Sequence, residues 1–178
     1  EEMKVPALIE EYIEGDEYDI SILGNDDGIN VLPLCRTIFS SLPKTIWHIY
    51  PFEAKWSDDT IYKDNIEVQI PPKKISINLI TLMKEIALDT YSTLDCKDYA
   101  RVEIRVDKNN NPFVIELNTN PFLGEGSIFV LSAKASSIDI KQLVEEILFI
   151  SINRNKKEFS ELNLKNNNNN NNKGELNG

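Results

Sequence analysis

Histidine and cysteine are scarce in this chain, and their scarcity excludes a good deal. His48 is the single histidine, and Cys35 and Cys96 form no CxxC pair. The Cys/His clusters that hold structural or catalytic zinc are therefore missing. Two free thiols fit a reducing compartment, and the lack of any Asn-x-Ser/Thr sequon agrees, so a cytoplasmic location is expected. No apolar run approaches the length of about 18 residues that spans a bilayer, which argues against a membrane protein. Positive charge is also short. Nineteen Lys and Arg face 29 Asp and Glu, a net charge of −10, which argues against a broad nucleic-acid surface. A small anionic ligand is not excluded, because it needs only local positive charge and a metal. The chain begins at Glu1 rather than Met, with no signal-peptide pattern, which suggests a fragment or a processed product.

What remains is ordinary for a globular domain: 178 residues, 41% apolar and 27% charged. Residues 7–13 ("ALIEEYI") and 17–23 ("EYDISIL") read as two short strands flanking Gly15-Asp16. Asn25-Asp26-Asp27-Gly28 is a turn signal, followed by "INVLPL" as a third strand. Residues 37–75 are Pro-rich and mixed in polarity, suggesting irregular structure with short strands near 46–50 and 66–70. From Ser76, a plausible N-cap, Ile80, Met83, Ala87, Tyr91 and Leu94 recur at helical spacing and predict a helix over about 77–94. A short helix is expected near 128–135 and another over about 139–152, with Ile140, Leu143, Val144, Ile147 and Leu148 as its apolar stripe. Residues 1–155 thus form the folded unit. Residues 156–178, with seven consecutive Asn, have the composition of a disordered tail.

The stretch "YARVEIRVDKNNNPFVIELNTNPF" carries charges through two apolar strands joined by an Asn-rich turn. Alternation puts Arg101, Glu103, Arg105 and Asp107 on one face of the first strand and Val102, Ile104 and Val106 on the other. In the second strand Glu116 and Asn118 share a face, while Phe113, Ile115 and Leu117 share the opposite one. Pairing the strands can bring Glu103 near Glu116 and Asn118, with Arg101 at the same end. Two carboxylates and an amide oxygen are hard ligands suited to Mg²⁺. A solvated sheet face with Glu–Arg cross-strand pairs produces the same alternation, and the spacing by itself does not choose between them.

The same stretch resembles the metal-binding hairpin of the ATP-grasp ligases, in the D-alanine–D-alanine ligase branch, whose motif runs Arg-x-Asp and then Glu-x-Asn-x-x-Pro-Gly. Arg101 and Glu103 match the first part, with Glu for Asp; Glu116, Asn118 and Pro121 match the second. "LIEEYIEGDEYDISILGN" resembles the family's adenine-binding hinge, and "FEAKW" its Glu-Ala-Lys-Tyr segment. The three occur in the family's order. The resemblance implies an α+β ATP-grasp C-terminal subdomain, a mostly antiparallel sheet packed against two main helices. It also implies an ATP-dependent carbon–nitrogen ligase that joins a carboxylate to an amine through an acyl phosphate. Under it Glu10, Glu11 and Ile13 line the adenine pocket and Glu17 accepts from the ribose. Lys55 meets a phosphate, Glu103, Glu116 and Asn118 hold Mg²⁺ (or Mn²⁺), and Arg101 steadies the charge developing during transfer. The implied partners are ATP and a small carboxylate or amino-acid-like substrate, and a homodimer is compatible. His48 reads as a packing residue.

The sequence also departs from the family. Phe122 stands where the family has Gly, and "LGEGSIF" lacks the Ser-His-Ser-like run that grips the acceptor, with Ser127 alone at the corresponding place. The resemblance therefore implies a kept nucleotide half and an altered acceptor half. A second function class stays open, a degenerate nucleotide-binding module without ligase activity. The family's substrate domain and phosphate-covering loop would precede Glu1, so this chain alone is expected to be inactive or very weak.

Overall fold

The computed structural model describes residues 6–51 and 60–174, with side chains up to 160 except those of Asp27, Thr60 and Lys63. Its framework is a six-stranded antiparallel sheet. The elements in chain order are β1 (Gly15–Leu23), β2 (Asn30–Val31), β3 (Cys35–Ile38), α1 (Thr60–Asn65), β4 (Glu67–Gln69), α2 (Ile77–Thr93), β5 (Tyr99–Asp107), β6 (Pro112–Asn118), α3 (Ile128–Ala135) and α4 (Ile140–Gly174). The strands lie in the order β4-β3-β1-β5-β6, with β2 pairing the far end of β1.

β1 and β5 form the centre and pair along their whole length, Gly15 opposite Asp107 through Leu23 opposite Tyr99. Alternation gives this ribbon two unlike sides. Tyr18, Ile20 and Ile22 with Val102, Ile104 and Val106 form an apolar side, covered by Leu79, Met83, Ala87 and Tyr91 of α2. Each large side chain buried there is worth about 1.5–3 kcal/mol relative to exposure, so this layer dominates the fold's stability. Ser76 caps α2 by accepting from the Leu79 amide at 3.2 Å, and the Tyr91 hydroxyl donates to the Gly24 carbonyl at 3.0 Å. The helix is thus fixed at both ends. Burial raises the Tyr91 hydroxyl pKa, so it remains a donor.

On the other side of the sheet, one end is closed by a smaller core. Leu23 and Leu32 pack there with Phe129, Val130 and Ala133 of α3 and Leu143 of α4. Further along α4, Arg154 grips Asp98 with two bonds of 2.8 and 2.9 Å, while Asn25 Nδ2 donates to the same carboxylate at 2.8 Å. That network ties the last helix to the two turns that lie side by side at the Leu23–Tyr99 end of the central ribbon.

Two expected strands are not strands. Residues 6–14 have no regular structure, with Leu8 and Ile9 almost fully exposed, and residues 46–50 form bends. Both stretches have strand-like composition but pair with no ladder among the described residues, and composition without a partner does not make a strand. α1 forms where irregular structure was expected. The last helix continues past 152 to Gly174, and its residues from Asn155 to Ser160 are all exposed. The segment carrying Lys55, "FEAKW", lies outside the described residues.

Candidate active site

The side of the ribbon away from α2 is polar, and antiparallel register orders it into rows. Glu17 of β1 stands opposite Arg105 of β5, which stands opposite Phe113 of β6. In the next row Asp19, Glu103 and Glu116 face one another across the three strands. The third row is Ser21, Arg101 and Asn118. The register therefore brings Glu103, Glu116, Asn118 and Arg101 onto one face. It does so through a bulge between Glu103 and Ile104, which leaves Ile115 unpaired. The bulge corrects the simple alternation: Phe113 lands on the polar face and Val114 opposite Ile104, while Leu117 keeps its place opposite Val102.

These rows floor a cleft of about 520 Å³ lined by Asp19, Tyr50, Arg101, Glu103, Asn118, Phe122 and Ser127. Ser127 is also the N-cap of α3, accepting from the Val130 amide at 3.4 Å. Arg101 is largely buried. Its Nε lies 3.0 Å from Asp19 Oδ1, an ion pair by distance rather than an aligned hydrogen bond, and its Nη2 donates to Glu103 Oε1. Burial works against its charge, but Asp19, Glu103 and Glu116 outweigh burial and hold its pKa above the usual arginine value. The same negative field adds to burial in raising the Tyr50 hydroxyl pKa. Cys35, opposite Asp19 on β3, is fully buried, and burial followed by Asp19 pushes its thiol pKa up.

Arg105 is more buried still, at 4% exposure. It donates to Glu17 Oε2 at 2.8 Å, to the Gly15 carbonyl at 2.9 Å and to the His48 carbonyl. Its guanidinium lies 5.3 Å from the ring centroids of both Tyr12 and Phe39. Tyr12 in turn packs edge-on against Trp47 at 4.9 Å. This one side chain docks residues 12–17, Phe39 and the 46–50 bends onto β5. His48 contributes its carbonyl, while its buried Nε2 finds no partner among the described residues.

Of the residues expected at the site, Glu17, Arg101, Glu103, Glu116 and Asn118 share the polar face, with Ser127 across the cleft. Glu10 and Glu11 are exposed and Ile13 half-buried on the segment leading into β1. Asp19, Tyr50 and the buried role of Arg105 were missed. Strand parity could have found Asp19, because it alternates with Glu17; nothing local marks Tyr50.

The residues present fit a hard divalent cation by chemistry and by charge. The rows carry the carboxylates Glu17, Asp19, Glu103 and Glu116 against the guanidiniums Arg101 and Arg105, an excess of two negative charges. Glu103 Oε1 already accepts from Arg101, and Asn118 Oδ1 accepts from the Asn120 amide at 2.9 Å. A carboxylate or amide oxygen has a further lone pair for a metal. Among the described residues no three His, Cys, Asp or Glu side chains converge on a metal position, so a cation here depends on Asn118 as third donor. A second cleft, about 450 Å³ and lined by Lys97, Arg154 and Lys157, has each of those cations paired with an acid, so nothing there selects an anion.

A family model described as D-ala D-ala ligase C-terminus matches residues 2–149. The chain belongs to that family. An uncharacterised protein of Sinorhizobium fredii is 35% identical over 153 residues, which make up 83% of this chain and 41% of the relative. The D-alanine–D-alanine ligase of Carboxydothermus hydrogenoformans is 34% identical over 157 residues, 88% of this chain and 46% of that protein. Among solved structures, the D-alanine–D-alanine ligase of Bacillus anthracis complexed with ATP matches with TM-score 0.61 at 26% identity, covering 83% of this chain and 41% of the other. The chain thus spans less than half the length of these relatives. Its α+β fold, with an antiparallel sheet, is that of the ATP-grasp C-terminal domain in D-alanine–D-alanine ligases. Among the described residues no helix is long and apolar enough to cross a membrane.

Proposed function

We propose that this chain is the nucleotide- and metal-holding half of an ATP- and Mg²⁺-dependent carboxylate–amine ligase. The observation that carries the reading is the register placing Glu103 opposite Glu116, with Arg101 opposite Asn118 beside them, on one polar face from which Arg101, Glu103 and Asn118 line a cleft. In this reading Glu103, Glu116 and Asn118 hold Mg²⁺, which when bound neutralises charge on the ATP phosphates. Arg101 stands ready to offset the charge that develops as a phosphoryl group passes to a carboxylate, giving the acyl phosphate that an amine then attacks. Glu17 accepts from the ribose, with Glu10, Glu11 and Ile13 beside the base, and Lys55 meets a phosphate oxygen or the acyl phosphate. The site works by positioning and charge compensation, with no protein nucleophile.

The acceptor side is changed. Phe122 is 64% exposed at the cleft, and its ring lies so close to Gly124 that a Cβ there would stand 2.0 Å from it. A phenyl group at the position of the family's Gly blocks backbone approach to a developing oxyanion. The acceptor specificity is accordingly altered, toward a small carboxylate or amino-acid-like substrate with Ser127 as its polar contact.

A second reading, a nucleotide-binding module without ligase chemistry, is favoured by one feature. Arg101 engages Glu103 and Arg105 engages Glu17, so two of the carboxylates assigned to ligands are already in protein ion pairs. Calorimetry with ATP and Mg²⁺ tests both. Each reading expects ATP binding that needs Mg²⁺ and that weakens about tenfold or more in Glu116→Gln and Asn118→Ala, as lost charge-assisted contacts require. Binding indifferent to both substitutions rules out this site. ADP release in the longer protein, on addition of a carboxylate and an amine, separates the ligase from the module; this chain alone should show little or none.

A further inference from the structure

Asp19 is not among the residues that the family motifs bring to the site, yet it occupies the middle of the polar face. It lies between Cys35 on one side and Glu103 on the other, with its side chain only 11% exposed. Its Oδ1 stands 3.0 Å from Arg101 Nε, while Nη2 of the same guanidinium donates to Glu103. One guanidinium is therefore shared between two carboxylates, and only Glu103 belongs to the proposed cation site.

That sharing matters because Glu103 has two claimants, Arg101 and the cation. Were Arg101 held by Glu103 alone, a cation taking that carboxylate would leave a buried guanidinium without a counter-ion, a strongly unfavourable state. Asp19 removes the conflict. It grips the Nε side, so the Nη2 end can leave Glu103 without the guanidinium losing its seat. Ser21, directly opposite Arg101 on β1, is fully buried and uncharged, so it offers no replacement counter-ion.

The geometry points to Asp19 as a positioning residue: the standing counter-ion that keeps Arg101 seated when Glu103 turns to a divalent cation, leaving Nη2 to face an anionic phosphate oxygen. This rests on the cation reading above. It requires that Asp19 act through Arg101 rather than on the metal.

A double-substitution cycle read by Mn²⁺ uptake of the whole chain, followed by water-proton relaxation with MnCl₂ alone, separates the two. Asp19→Asn, which keeps the shape, should weaken Mn²⁺ binding about tenfold, because Arg101 then competes undivided for Glu103. In the Arg101→Met background the same substitution should change binding by less than about twofold, since the intermediary is gone. A second readout needs no metal: the ¹⁵Nε resonance of Arg101 should move in Asp19→Asn and hold its place in Glu103→Gln. Equal weakening in both backgrounds would mean that Asp19 acts on the cation directly. No weakening, or an unmoved resonance in Asp19→Asn, would mean that Asp19 does not seat Arg101. Either result overturns the inference while leaving the cation site intact. A wild-type chain that takes up no Mn²⁺ overturns the cation reading itself and this inference with it.

Discussion

Gly15 opens β1 with φ +155°, and a Cβ added there would stand 1.9 Å from the Val106 carbonyl oxygen. Backbone cannot yield as a flexible side chain does, so Gly15→Ala should destabilise the fold by about 3 kcal/mol, measured by urea denaturation. A loss under about 0.5 kcal/mol, the size expected for an unconstrained surface position, would show that the close approach is not as described. Asp98 makes a different kind of prediction. The Arg154 hydrogen bonds hold its pKa below the usual carboxylate range, against burial, with Asn25 assisting. A carboxylate depressed in the fold stabilises it above its unfolded pKa, and the benefit disappears as pH falls through the folded value. Asp98→Asn should therefore cost about 1–2 kcal/mol at pH 7, allowing for partial exposure, and nearly nothing well below the ordinary Asp pKa. An equal cost at both pH values would show that charge is not what holds α4 to the turns. Neither feature could be read from sequence: Gly15 was visible only as a break between two expected strands, and Asp98 is separated from Arg154 by 56 positions.

At the scale of elements, legibility followed burial. α2 was visible because one face of a 17-residue helix is buried, and Met83, Ala87 and Tyr91 stand at the spacing that burial imposes. Met83 is fully buried in that layer, so Met83→Ala should lower stability by about 2–5 kcal/mol in denaturant titration; a change within 0.5 would contradict the packing. The hairpin was visible because Asp107 accepts from the amides of Asn109 and Asn111, an Asx-type turn that its composition announces. The bulge at Ile115 was not, since nothing in "FVIEL" distinguishes a regular strand from one with an extra residue. The segments 6–14 and 46–50 failed for a related reason, because strand identity depends on a partner far away in sequence. For the end of α4, asparagine is a weak helix former and residues 155–160 present no buried face. We propose that the Asn-rich tail beyond residue 160 is dispensable for the stability of the fold. Truncation after Ser160 should leave the denaturation midpoint unchanged, and a clear drop would show that the tail is part of the folded unit.

Across the whole molecule, the two sides of one ribbon divide the labour. The side facing α2 supplies stability. The other spends it by crowding Glu17, Asp19, Glu103 and Glu116 around two buried arginines. The family motifs made the hairpin half of that face legible, since Arg101, Glu103, Glu116 and Asn118 lie within one hairpin. From the β1 half they supplied Glu17 but neither Asp19 nor the pairings, Asp19 with Arg101 and Glu17 with Arg105, that span 82 and 88 positions of chain. A face with surplus negative charge, in a chain already at −10, is consistent with a cation as the missing partner. The most direct test is a crystal of this chain grown with Mn²⁺ and a non-hydrolysable ATP analogue, examined for anomalous scattering. The account predicts a manganese peak within about 2.5 Å of oxygens from Glu103, Glu116 and Asn118, with Arg101 turned from Glu103 and still beside Asp19. A map with no peak on that face, and Arg101 still bound to Glu103, would contradict it.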